Sequence, residues 1–192
     1  MWRPCDPDEL GNPEVLSELE AAHDESIHSV IPPRYDAYGR LASLPVGEEL
    51  DALSELLTRH TTTPAHCSFL AWEGLHMGMP HLDSPATLDL QDRPHHAFRG
   101  AATDLADLAE HLGTLGMAER LGIAEIPHQT RRNSAMVPSF WWPDDLAWFA
   151  GWHIDAAYVV LGGSEDLLTD LASSNQIGVR RLPANAELEF DH

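Results

Sequence analysis

The clearest hydrophobic spacing in the chain is Leu50, Leu53, Leu56 and Leu57, at i, i+3, i+6 and i+7, which traces one face of a helix. Glu48, Glu49 and Asp51 stand in its early turns, where negative charge is favourable, and Thr61-Thr62-Thr63-Pro64 ends it. A second helix is expected from Thr103, with Leu105, Leu108, Ala109, Leu112 and Leu115 as its buried face. A third opens at Ser164 with Glu165 and Asp166 in its first turn and Leu167, Leu168 and Leu171 facing inward. Between these, short apolar or alternating runs predict strands at 67–73, 86–90, 95–99, 146–154, 156–161 and 176–182. Gln91-Asp92-Arg93-Pro94 reads as a turn that makes 86–90 and 95–99 a hairpin, and Asp155 as the joint between 146–154 and 156–161. Residues 34–45 read as a linker and 122–138 as irregular.

The first 33 residues have a different texture. Asn12 is a cap candidate with Pro13 at the first helical position, and Glu14, Glu18 and Glu20 follow. Val15, Leu16, Leu19, Ile27 and Val30 form an imperfect apolar face, and Pro32-Pro33 stops the segment. This predicts an N-terminal helical arm over 1–33, which either packs on the domain or pairs with another subunit, and a single α+β domain over 34–192. The interspersed helices and hairpins, without a dinucleotide fingerprint, predict an antiparallel or mixed sheet with helices packed on one face.

Charge narrows the partners. The 192 residues carry 31 acids and 11 bases, a formal net charge of −20, and every base is Arg. Nucleic-acid backbones and anionic membranes need a basic footprint, so neither is expected as a partner; a basic protein is compatible. The all-Arg usage with abundant Ala, Leu, Gly and Pro suggests GC-rich coding. Two cysteines, Cys5 and Cys67, do not make a disulfide framework. The first residues lack a basic region followed by an apolar run, and the apolar tract 146–163 is interrupted by His153 and Asp155, so a cytoplasmic location is expected.

The segment 139–148 holds the densest chemistry. Trp141, Trp142, Trp148 and, just beyond, Trp152 account for four of six tryptophans, beside Asp144 and Asp145. An aromatic wall with an adjacent acid can hold a cation or an Arg side chain. Alternatively the rings are core, and the acids form a turn after Pro143. Adjacent acids on a strand point to opposite faces, so a second carboxylate would have to come from Asp155 or Glu73. The candidate binding residues are therefore Trp141, Trp142, Asp144, Asp145, Trp148 and Asp155, with one ring expected in the core and one at the surface.

In sequence, Trp141, Trp142, Pro143, Asp145, Ala147, Trp148, Ile154, Asp155, Tyr158, Val159, Gly162, Gly163 and Ser164 resemble a group of uncharacterised actinobacterial proteins with a W-W-P-x-D-x-A-W, I-D, T-Y-V-G-G-S pattern. The likeness covers residues 139–172. Val160-Leu161 are additional before the glycine pair, and His153 stands at the polar position before I-D. The resemblance implies an α+β fold and no established activity. In architecture the chain is loosely similar to SUKH-type immunity proteins, acidic α+β modules that bind toxins.

Catalytic signals are sparse. His60, His66, His76 and His81 lie near Cys67 and Asp83, and His76-x4-His81-x-Asp83 offers three ligands, but paired metal-ligand spacings are absent. His95-His96 would alternate across a strand. No G-x-S-x-G elbow occurs, Cys67 precedes an apolar run and reads as buried, and Glu165 and Asp166 already occupy the helix start after Gly162-Gly163-Ser164. The leading expectation is a protein-binding module with no cofactor and no metal, with a possible homodimer through the N-terminal helix. The alternative is a small metal-dependent or acid–base enzyme using His76, His81 and Asp83. The twelve histidines and the sequence pI of 4.7 give a direct test. As pH falls below roughly 6.5 the histidines add positive charge and self-repulsion fades. Light scattering should therefore rise between pH 7.5 and 5; a flat signal would contradict this.

Overall fold

A computed structural model describes residues 1–20, 25–76, 87–121, 127–133 and 135–189. In chain order the elements are β1 (Arg3–Pro4), α1 (Leu16–Glu20), β2 (Ala37–Leu41), α2 (Glu48–Arg59), β3 (Cys67–Trp72), β4 (Thr87–Leu90), β5 (Arg93–Gly100), α3 (Leu105–Leu121), α4 (His128–Asn133), β6 (Phe140–Pro143), β7 (Phe149–Gly151), β8 (Val160–Gly163), α5 (Glu165–Ser173) and β9 (Val179–Leu182). The nine strands form one antiparallel sheet in the order β1-β5-β3-β6-β7-β8-β2-β9, with β4 also paired to β5. The fold is α+β.

Strand alternation divides the core cleanly. Phe69, Phe98, Trp141, Ala150 and Leu161 point to one face, where Leu50, Leu53, Leu56 and Leu57 of α2, Leu105, Leu108 and Leu112 of α3, and Leu167, Leu168 and Leu171 of α5 cover them. Leu70, Ala97, Phe140, Trp142, Phe149 and Val160 point to the other face. Ser164 caps α5 as its spacing predicts, accepting the Leu167 N–H at 3.2 Å. The β4–β5 hairpin turns on Gln91 and Asp92, both with positive φ, the two-residue geometry that matches strand twist.

Beyond residue 33, two strands lie where none was expected. The 34–45 stretch contains β2, which sits between β8 and β9. Its Tyr-Gly-Arg centre lacks an alternating signal because Gly39 is set by packing: a Cβ there would come within 2.6 Å of Leu168. Trp141 and Trp142 lie on β6, between β3 and β7. Conversely, 146–154 and 156–161 contribute only the three residues of β7 and the start of β8, which pair across a longer connection rather than a joint at Asp155.

Residues 1–33 take the first of their two expected arrangements, packing on the domain. They do not stand apart as a helical arm. β1 pairs with β5, and the described residues that follow form short turns, with 3-10 segments at Pro13–Val15 and Ile27–Ser29 around the five residues of α1. Cys5, Leu10, Val15, Leu16, Leu19, Ile27, Val30 and Ile31 are buried against the second face of the sheet. The apolar side chains of this segment thus pack within the chain. Fully burying one such aliphatic side chain stabilises by about 1.5–3 kcal/mol, and a whole domain by only about 5–15 kcal/mol. A chain starting at residue 31 should therefore lose its cooperative thermal unfolding transition. A sharp transition retained in that truncation would show that the helical face alone sustains the domain.

Candidate functional site

The aromatic segment is core on both sides of the sheet. Trp141, Trp142 and Trp148 are each fully buried. Trp142 stacks on Phe149 at 5.2 Å and donates its indole N–H to the Gly11 carbonyl at 2.6 Å. Trp148 donates to the Leu57 carbonyl at 2.9 Å. The Trp141 N–H has no partner among the described residues. The expectation of one surface ring does not hold, because adjacent strand residues face opposite layers and here both layers are covered.

Asp144 binds Arg99 through two parallel hydrogen bonds, 2.5 Å from Nη1 to Oδ1 and 2.8 Å from Nη2 to Oδ2. Arg99 also donates to the Ser68 hydroxyl at 2.7 Å, which accepts the Gly11 N–H at 3.0 Å, and the Asn12 side chain donates to the Asp144 carbonyl. A Cβ on Gly11 would stand 1.9 Å from Asp144 Oδ1, so this seam needs glycine. The cluster holds the N-terminal segment down. Asp145 accepts from the Thr61 hydroxyl at 2.8 Å, the Thr62 N–H at 2.6 Å and hydroxyl at 2.7 Å, and the Ala147 N–H at 3.1 Å. Partial burial raises its carboxyl, but these hydrogen bonds from Thr62 and Thr61 outweigh it and hold the pKa below the ordinary carboxylate value. Asp155 is exposed on the β7–β8 connection, with its carboxylate 3.8 Å from His153. The six candidates are thus distributed over the core, one structural turn and a separate loop.

The metal alternative rests on His76, His81 and Asp83. His81 and Asp83 lie outside the described residues, and of His76 only the backbone is described. His60 pairs with Asp170 at 2.8 Å. Burial pushes the thiols up, Cys5 to about 11 and Cys67 to about 12, so neither is a ready nucleophile.

Two concavities were not legible in the sequence. The first is lined by Trp72, Arg93, His95, Ser139, Phe140 and Trp152. His95 is 3% exposed, its Nδ1 lies 2.8 Å from the Arg93 carbonyl, and its ring packs on Phe140. The carbonyl can only accept, so Nδ1 carries the proton and Nε2 the lone pair. Arg93 lies over the Trp72 ring at 5.6 Å. The free space is about 20 Å³, room for a water and not for a substrate. The second is an open groove of about 420 Å³ between α2 and α5, lined by Glu55, Leu56, Arg59, Asp170 and Ser173 among others. Glu49, Glu55 and Asp166 on the outer faces of these helices are exposed and form no ion pair among the described residues.

Comparison with protein families, with curated proteins and with solved structures finds no match to this chain. No helix among the described residues is long and apolar enough to cross a membrane.

Burial drives the His95 pKa down to about 4, against about 6.5 for a free histidine. Between those values the unfolded chain binds the proton and the folded chain does not. Stability from keeping His95 neutral is therefore complete above pH 6.5 and is lost as pH falls towards 4, by roughly 3 kcal/mol. His96 and His111, lowered by burial, act in the same direction. Denaturant unfolding from pH 7 to 4 should show this decline, and His95→Phe should flatten it. An unchanged slope in the variant would assign the acid sensitivity elsewhere.

Proposed function

We propose that this chain is a non-catalytic protein-binding module that engages a basic polypeptide through the acidic outer surface of α2 and α5. The observation that carries this reading is the open groove between those helices. Glu55 and Asp170 line it beside Arg59, with Asp170 also 2.8 Å from His60, and exposed Glu49 and Asp166 stand on the helices that form it. A Lys or Arg side chain entering such a groove meets carboxylates already at the surface, and a net charge of −20 steers it there. The loose similarity to immunity modules, which act by binding a partner, is in keeping with this reading, as is a cytoplasmic setting with both thiols reduced. The tryptophan segment then serves as the framework that fixes the helical layer, with Trp148 tied to the end of α2.

The test is charge placement at constant net charge. A Lys/Arg-rich peptide is titrated against wild type and against two triple variants. One is Glu49→Gln, Glu55→Gln, Asp170→Asn, on the helical face. The other is Asp8→Asn, Glu14→Gln, Asp89→Asn, elsewhere. The helical variant should weaken binding by about tenfold at moderate salt, and the control far less. Equal losses would reduce the effect to bulk charge and remove the reading.

A further inference from the structure

The β2–β9 edge carries an arrangement of opposite sign. Arg40 and Arg180 are direct cross-strand partners in the antiparallel ladder, a register that sets two like charges side by side and is unfavourable on its own. Arg40 is held in place: its guanidinium lies 4.7 Å from the centre of the Tyr158 ring, and its side chain is 21% exposed. Arg180 is 67% exposed. A single carboxylate relieves the pair. Glu189 places one oxygen 2.8 Å from Arg40 Nη1 and the other 3.9 Å from Arg180 Nη1. Its main-chain N–H donates to the Tyr158 hydroxyl at 2.7 Å, so the ring that supports Arg40 also positions Glu189.

The geometry points to an oxyanion-binding site formed by Arg40, Arg180 and Tyr158, in which the chain's own Glu189 carboxylate occupies the place of the ligand. The two distances differ in a telling way. Glu189 satisfies Arg40 and reaches Arg180 only loosely, so one planar carboxylate does not fill the space between two guanidinium groups. A tetrahedral oxyanion, with three oxygens to share, can bond both. Glu189 is itself 65% exposed, and exposed ion pairs contribute little, so a ligand at moderate concentration can displace it. Arg181, next along β9, is turned to the other face by strand alternation and pairs with Glu165, which leaves the site to the opposed pair. The ligand class is a phosphate group, free or borne on a peptide. This inference is independent of the acidic helical surface, which lies on a different part of the molecule's sequence and takes a cation.

The experiment titrates inorganic phosphate, and separately a phosphoserine peptide, into the full chain at roughly 0.15 M salt, where the Debye length of about 8 Å screens the repulsion from the net negative charge. Wild type, Glu189→Gln, and Glu189→Gln combined with Arg180→Gln are compared by calorimetry and by amide shifts on β2 and β9. Removing the resident carboxylate should tighten phosphate binding by about fivefold or more, and adding Arg180→Gln should abolish the gain. Tighter binding of the peptide than of free phosphate assigns the ligand to a phosphorylated chain, and equal binding to the free ion. Equal phosphate affinity in wild type and Glu189→Gln, or binding that survives Arg180→Gln, would overturn the proposal.

Discussion

A sheet that alternates Trp141 with Trp142 and Phe69 with Leu70 has two apolar faces to keep from water, and α2, α3 and α5 reach only one. Covering the second face is the constraint on which the rest of this structure depends. The described residues among the first 31 do it by laying short turns across the strands and anchoring at a polar seam. That seam is the Arg99–Asp144 pair, extended through Ser68 to the Gly11 N–H and through Asn12 to the Asp144 carbonyl. The Trp142 indole completes it by bonding Gly11. Each buried polar group there finds a partner, which is the condition for placing an ion pair near the core without loss of stability.

The seam changes the meaning of the aromatic–acidic segment. Tryptophans beside two aspartates suit cation recognition only if a ring face and a carboxylate are both free. Here the rings fill the two layers, Asp144 ties down the N-terminal segment, and Asp145 gathers the loop that follows α2. The charged groups that face outward are the carboxylates of the helical layer and the arginines at the far edge of the sheet.

Scarcity of base makes each arginine informative. In a chain with 31 acids and 11 bases, Arg99 secures the N-terminal cover, Arg93 lies over Trp72, Arg132 bonds Asp51, and Arg40 rests on Tyr158. Most of the positive charge is thus engaged locally. That leaves the outer surface of α2 and α5 acidic and makes the opposed Arg40–Arg180 pair stand out.

The sequence by itself determined the α+β class and the three helices with strong leucine spacing. It also determined the β4–β5 hairpin and the cap at Ser164, because each depends on neighbours within a few residues. It determined the charge as well. Only the tertiary structure decided that β2 is a strand, since Tyr38-Gly39-Arg40 is held by β8, β9 and Leu168 rather than by its own periodicity. Only the tertiary structure decided that residues 1–33 belong to the core, because an imperfect apolar face does not say which surface it will meet. The same holds for both candidate surfaces. Glu55 and Asp170 are 115 residues apart, and Arg40 and Arg180 are 140 apart, so strand register and helix packing, not local spacing, bring each pair together.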